Sequence, residues 1–162
     1  MKAQSIAQKL GTCIDVIQPM YSLVKRQAEV EIFEVAQDQD IQIIPYSPLG
    51  GGLLTGKYAR GETGRLTDDS RYNARYNQTW MHDTARNLAV LGADIATDPA
   101  TLAVAWVAAH PAKPSPIISG RSTIQLAPSL AAENYTMSTD LYDTITALSL
   151  SPPPATDRLE EA

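Results

Sequence analysis

Residues 41–58 read Ile-Gln-Ile-Ile-Pro-Tyr-Ser-Pro-Leu-Gly-Gly-Gly-Leu-Leu-Thr-Gly-Lys-Tyr, a short apolar strand from Ile41 to Tyr46 that runs into a glycine-rich loop ending at Lys57. Such a junction constrains the fold because strand-to-loop turns of this kind commonly cradle phosphate on converging backbone N–H groups. Three site types compete for it. A Walker A loop fits from Gly51 to Lys57, but Tyr58 stands where a Mg²⁺-binding hydroxyl is required, and Gly61 and Gly64 follow where a helix should start. A dinucleotide fingerprint counted from Gly50 and Gly52 meets Thr55 at its last glycine position. The third type is a βα loop at the mouth of an α/β barrel, where the loops after the last strands often bind phosphate. Only this one survives.

At 162 residues with 44% hydrophobic content, the chain is long enough for one domain with a real core. Its net charge of −5 and the lack of any basic stripe argue against a nucleic-acid partner. Cys13 is the single cysteine, so neither an intrachain disulfide nor a cysteine-built metal site is available. No apolar run reaches the roughly 18 residues of a membrane span, and a cytoplasmic location is expected.

Along the chain, Ile6, Ala7 and Leu10 share a helical face closed by Gly11, which reads as the tail of a longer element and suggests a chain lacking its front. Residues 13–18 are β-branched and apolar, a strand ended by Pro19 with Gln18 at its C-terminal end, able to donate to and accept from an amide. A helix over 29–37 places Glu29 and Glu31 in its first turn. With the strand at 41–46 this makes one right-handed βαβ unit. Residues 58–82 lack apolar periodicity and are expected to be a solvated loop without regular structure. A helix from Asp83 to Ile95 follows, then a second capped by Asp98 with Pro99 at its first position. Ile117-Ile118 is the remnant of a third strand. In the loop after it, Ser122 and Gln125 form a capping box, and Arg121 beside it makes that helix N-terminus a candidate anion site. A last helix carries Leu141, Ile145 and Leu148, and residues 151–162 are expected to be a flexible Pro-rich tail.

Three motifs together resemble one family. Gln18-Pro19-Met20-Tyr21-Ser22, Tyr46-Ser47-Pro48-Leu49 through Lys57-Tyr58, and Ile117-Ile118-Ser119-Gly120-Arg121-Ser122 with Gln125-Leu126 resemble the strand 6, 7 and 8 segments of the aldo-keto reductases, NADPH-dependent (β/α)8 barrels. The glycine loop is most similar to the branch holding aflatoxin-aldehyde reductases and potassium-channel β-subunits. The resemblance implies an α/β fold, the C-terminal part of a TIM-type barrel, with about three parallel strands near 13–18, 41–46 and 116–118 and an open sheet edge. Residues 1–150 would form that partial barrel. The same resemblance implies that Gln18 bonds the nicotinamide carboxamide and that Tyr46 stacks on the ring. Ser47, Leu49 and Gly51 would line the pyrophosphate with Lys57 nearby, and Arg121, Ser122 and Gln125 would hold the 2′-phosphate and adenine of NADP(H).

Two departures stand out: Pro128-Ser129 replaces the family's Glu-Asn, and Ser119 replaces a glycine. The family's catalytic Asp, Tyr, Lys and His belong to its first half. Neither His82 nor His110 fits that motif, so no catalytic residue and no metal ligand is assigned. The expected function is NADPH-dependent reduction of an aldehyde or ketone in a longer context, this chain being inactive alone. An N-terminal half-barrel or self-association through the sheet edges would complete it. The alternative is a non-catalytic nucleotide-binding or regulatory module.

Overall fold

The computed structural model describes residues 2–154. Its sheet is parallel and small: β1 (Val16–Ile17) pairs with β2 (Gln42–Ile43) in the register Val16 to Gln42 and Ile17 to Ile43. Main-chain bonds prolong the pairing, from Gln42 N to Asp15 O at 2.9 Å, Ile44 N to Ile17 O at 2.9 Å and Tyr46 N to Pro19 O at 3.0 Å. Helix α1 (Lys2–Lys9) precedes β1, and α2 (Ile32–Asp38) lies in the crossover between the two strands.

The expected third strand at 116–118 does not form a regular strand. Ser115 N donates to Ile43 O and Ile117 N to Pro45 O, each at 2.8 Å, so the segment lies parallel beside β2. The ladder cannot close in the other direction. A parallel partner would have to donate back from position 45, a proline without an N–H, and from Ser47, which has turned away with φ +61°.

Two helix boundaries also move. The 29–37 helix begins at Ile32, because a 3₁₀ turn over Gln27–Glu29 precedes it. Glu29 therefore serves the core and not the helix dipole: it accepts from Tyr21 Oη at 2.6 Å and pairs with Arg26 at 2.8 Å. The larger correction is residues 58–82. They fold as a 3₁₀ turn over Lys57–Arg60, α3 (Arg65–Asp68), α4 (Ser70–Tyr76) and the first turn of α5 (Thr79–Asp94). The apolar content is sparse but well placed: Leu66 and Tyr76 are buried, and Asp69 caps α4 by accepting from Arg71 N at 2.9 Å.

The remaining helices are α6 (Pro99–Ala108), α7 (Thr123–Ala131) and α8 (Thr139–Ala147). Asp98 caps α6 as expected, accepting from Ala100 N at 2.8 Å. Every residue of α6 from Ala100 to Val107 is buried, so α6 is the central post of the molecule, and its apolar surface runs all round. The core joins Ile41 and Ile43 of the sheet to Tyr21, Phe33, Leu88 and Trp106. The alternate strand residues Val16, Gln18, Gln42 and Tyr46 are exposed, so helices cover one sheet face and leave the other open. Ser151–Pro154 carry no regular structure, and the rest of the expected tail lies outside the described residues.

Candidate functional site

The strand ends open onto a groove of about 760 Å³. One wall is the glycine loop, which leaves β2 by a sharp reversal at Ser47 and continues as a 3₁₀ segment over Gly50–Thr55. Its turns are closed by Gly50 N to Ser47 O at 2.9 Å, Gly52 N to Leu49 O at 3.0 Å and Thr55 Oγ1 to Gly52 O at 2.8 Å. Gly51 needs to be glycine twice over. It has φ +66°, and a Cβ there would lie 3.0 Å from Tyr72 Cδ1 and 3.1 Å from Leu66 Cδ1. The glycine lets the loop pack directly on α3 and α4, and Gly51 lines the groove on its other side.

Seven of the nine residues singled out from the sequence line this groove: Tyr46, Ser47, Leu49, Gly51, Lys57, Arg121 and Gln125. Gln18 and Ser122 do not. Gln18 is exposed at the end of β1, and Ser122 spends its hydroxyl capping α7, accepting from Gln125 N at 3.3 Å. The capping box is also altered. Gln125 Oε1 accepts from Arg121 N at 3.1 Å, one residue before the cap, so the helix N-terminus and the arginine loop are tied together.

Sequence reasoning missed Arg60, Glu62, Arg65, Tyr72 and Asp98, all lining the groove. The Arg65 guanidinium lies 5.5 Å over the Tyr72 ring. The available signal was the four-residue spacing of Tyr72 and Tyr76, which marks one face of a helix. Of the two groove carboxylates, Asp98 is engaged in capping and Glu62 pairs with Arg60 at 2.8 Å. Among the described residues, Lys57, Arg65 and Arg121 form no ion pair, so the groove carries unspent positive charge. At the departure noted above, Pro128 lines the groove while Ser129 is buried behind it; Pro128 O accepts from Thr101 Oγ1 at 2.7 Å. Among the described residues no three His, Cys, Asp or Glu side chains gather to hold a metal ion, and no single helix is long and apolar enough to cross a membrane.

Parallel strands that feed a glycine loop, with unpaired cations around one groove, describe an α/β protein whose strand ends open onto a positively charged groove. Comparison with known proteins makes the class specific. The aldo/keto reductase family model matches residues 1–150. The chain is 31% identical over 147 residues to YrpG of Bacillus subtilis strain 168, described as an uncharacterized oxidoreductase, covering 87% of this chain and 42% of that protein. It is 29% identical over 168 residues to a probable voltage-gated potassium channel subunit beta of Oryza sativa subsp. japonica, covering 96% and 50%. A shorter match of 43 residues is 49% identical to human aflatoxin B1 aldehyde reductase member 4, covering 26% and 13%. The chain belongs to the aldo/keto reductase family. It spans half or less of the length of these relatives.

Proposed function

We propose that this chain is the cofactor-binding half of an NADPH-dependent aldehyde or ketone reductase. The observation that carries the reading is the gathering of the Gly51 backbone, Gln125 of the first turn of α7 and the cations Lys57, Arg65 and Arg121 around one groove. That donor set suits a ligand with separated phosphates. Gly51 and Lys57 would meet the pyrophosphate, and Arg121, anchored through Gln125, the 2′-phosphate that distinguishes NADPH from NADH. Tyr46, 37% exposed at the groove wall, would offer its ring face to the nicotinamide. The bound cofactor would supply hydride, and the protein positions it.

Hydride addition to a carbonyl leaves an alkoxide that needs a proton, supplied by a positioned general acid. The tyrosines lining the groove are Tyr46 and Tyr72, and neither is hydrogen-bonded to a lysine or histidine. Turnover therefore requires a second segment bearing the acid. The open β1 edge and the uncovered sheet face with Val16 and Tyr46 are where an N-terminal half-barrel would complete the site in the cytoplasm.

A regulatory nucleotide-binding module is the second reading, favoured by the similarity to a potassium channel β-subunit over 96% of this chain. Co-expression with the N-terminal half of a related reductase separates the two. NADPH oxidation with an aldehyde supports the enzyme; cofactor binding without turnover supports the module. Turnover by the purified chain alone would overturn the half-site reading.

A further inference from the structure

Gly64 is a buried glycine that its own backbone does not require. Its φ of 165° and ψ of −156° are extended, open to any residue. Thr67 fixes it from both sides, accepting from Gly64 N at 2.8 Å and donating through Oγ1 to Gly64 O at 2.8 Å. What glycine provides is space. A Cβ at position 64 would overlap the Lys57 Nζ position and lie 2.9 Å from both Lys57 Cε and Tyr58 Oη. On the other side a Cβ at Gly52 would lie 3.2 Å from Lys57 Cε. The Lys57 side chain thus runs through a slot between two glycine backbones.

Tyr58 closes that slot. The Lys57 ammonium sits 4.8 Å from the Tyr58 ring centroid. The Tyr58 hydroxyl accepts from Leu66 N at 3.1 Å and donates to Gly51 O at 3.4 Å, joining the glycine loop to the start of α3. Lys57 forms no ion pair and no side-chain hydrogen bond among the described residues, so its three donors are unspent although its path is fixed. A free lysine carries about 2 kcal/mol of rotamer entropy, most of which a slot removes before any ligand arrives.

We propose that Gly64 and Tyr58 are positioning residues that hold the Lys57 ammonium ready for a phosphate entering the groove. That the phosphate belongs to NADPH rests on the proposed function; that Lys57 is held does not.

The two are tested separately. Reductive methylation with peptide mapping should modify Lys57 more slowly than exposed Lys113 in the native chain. Gly64→Ala, whose backbone any residue can adopt and whose Cβ meets mainly the end of a flexible side chain, should leave the melting transition in place and raise the Lys57 rate to that of Lys113. Tyr58→Leu should likewise raise the Lys57 rate by removing the ring, with a lowered melting transition because the hydrogen bonds to Leu66 N and Gly51 O are lost. In parallel, NADPH titration followed by fluorescence should show an affinity loss of about tenfold for Gly64→Ala, the size expected for one charge-assisted contact. In a Lys57→Ala background the Gly64→Ala change should cost nothing further. Lys57 labelled as fast as Lys113 in the native chain, or an undiminished Gly64→Ala loss without Lys57, would overturn the inference. A native chain that protects Lys57 but fails to bind NADPH would overturn the cofactor assignment and leave the slot standing.

Discussion

Arg121 is held to helix α7 by Gln125, whose side-chain oxygen accepts its main-chain N–H at 3.1 Å while Gln125's own N–H is capped by Ser122 at 3.3 Å. The consequence is that the backbone carrying Arg121 is tied to the helix N-terminus. Both a cation and a helix N-terminus favour an anion nearby, one by its full charge and one by its dipole. If Arg121 meets the 2′-phosphate as proposed, Arg121→Leu is expected to weaken NADPH about tenfold or more while NADH, which lacks that phosphate, changes little. Gln125→Leu should give a smaller loss in the same direction. Parallel titrations with the two cofactors check this; equal losses for both would place Arg121 elsewhere on the ligand.

The Tyr21–Glu29–Arg26 network is a stability element. Arg26 and Glu29 side chains are 10% and 17% exposed, Arg26 lies 5.7 Å over the Trp106 ring, and burial together with the Glu29 carboxylate pushes the Tyr21 hydroxyl far above its ordinary range. Removing one partner strands a largely buried charge. Glu29→Ala is expected to cost about 3 kcal/mol in urea unfolding, and more than Arg60→Ala, whose pair is more than half exposed.

His110 is expected to make the fold acid-sensitive. Its Nδ1 accepts from Ala112 N at 3.1 Å, its ring packs edge-on to Phe33 and Tyr21, and burial lowers its pKa from the ordinary 6.5 despite Glu29 and Glu34, with Arg26 lowering it further. A group whose folded pKa is depressed below its unfolded one favours the neutral form. For a histidine this contribution is fully present above pH 6.5 and is lost as pH falls through and below that value. Melting temperatures between pH 7.5 and 5 should therefore drop more steeply for the native chain than for His110→Phe. Parallel curves would refute the assignment.

The sequence was legible where local chemistry decides structure, and less so where distant contacts do. Asp98-Pro99, Ser122 with Gln125 and the Ile41–Tyr46 strand announce themselves because caps, prolines and apolar runs act within a few residues. The segment 58–82 does not, since its helices are held by single anchors, Leu66 and Tyr76, that pack on a loop earlier in the chain. Propensity cannot see such a tertiary override. The third strand fails for the opposite reason. Pro45 was visible, but its effect falls on the neighbour that needs its missing N–H. Likewise Gln18 could be placed at a strand end, yet spacing could not show that it stands outside the residues lining the groove.

Tyr76 shows what the misread segment contributes to the site. It is fully buried, its hydroxyl donates to Met20 Sδ at 3.6 Å, and its ring edges lie 3.6 Å and 3.3 Å from where side chains at Gly50 and Gly51 would begin. The ring fills the space behind the glycine loop, so α4 acts as a wedge setting how far the loop can retreat from the groove. Tyr76→Ala should cost about 3 kcal/mol or more, because the buried cavity left behind cannot collapse without moving the loop. Tyr76→Phe keeps the ring and loses only a weak hydrogen bond to sulfur, so it should stay within about 1 kcal/mol of the native chain. Chemical denaturation gives the stability, and hydrogen exchange at residues 50–52 gives the position of the loop. Those amides should exchange faster in Tyr76→Ala and at the native rate in Tyr76→Phe. Unchanged protection in the alanine variant would mean that the loop's own turns, closed at Ser47 and Leu49, hold it without α4.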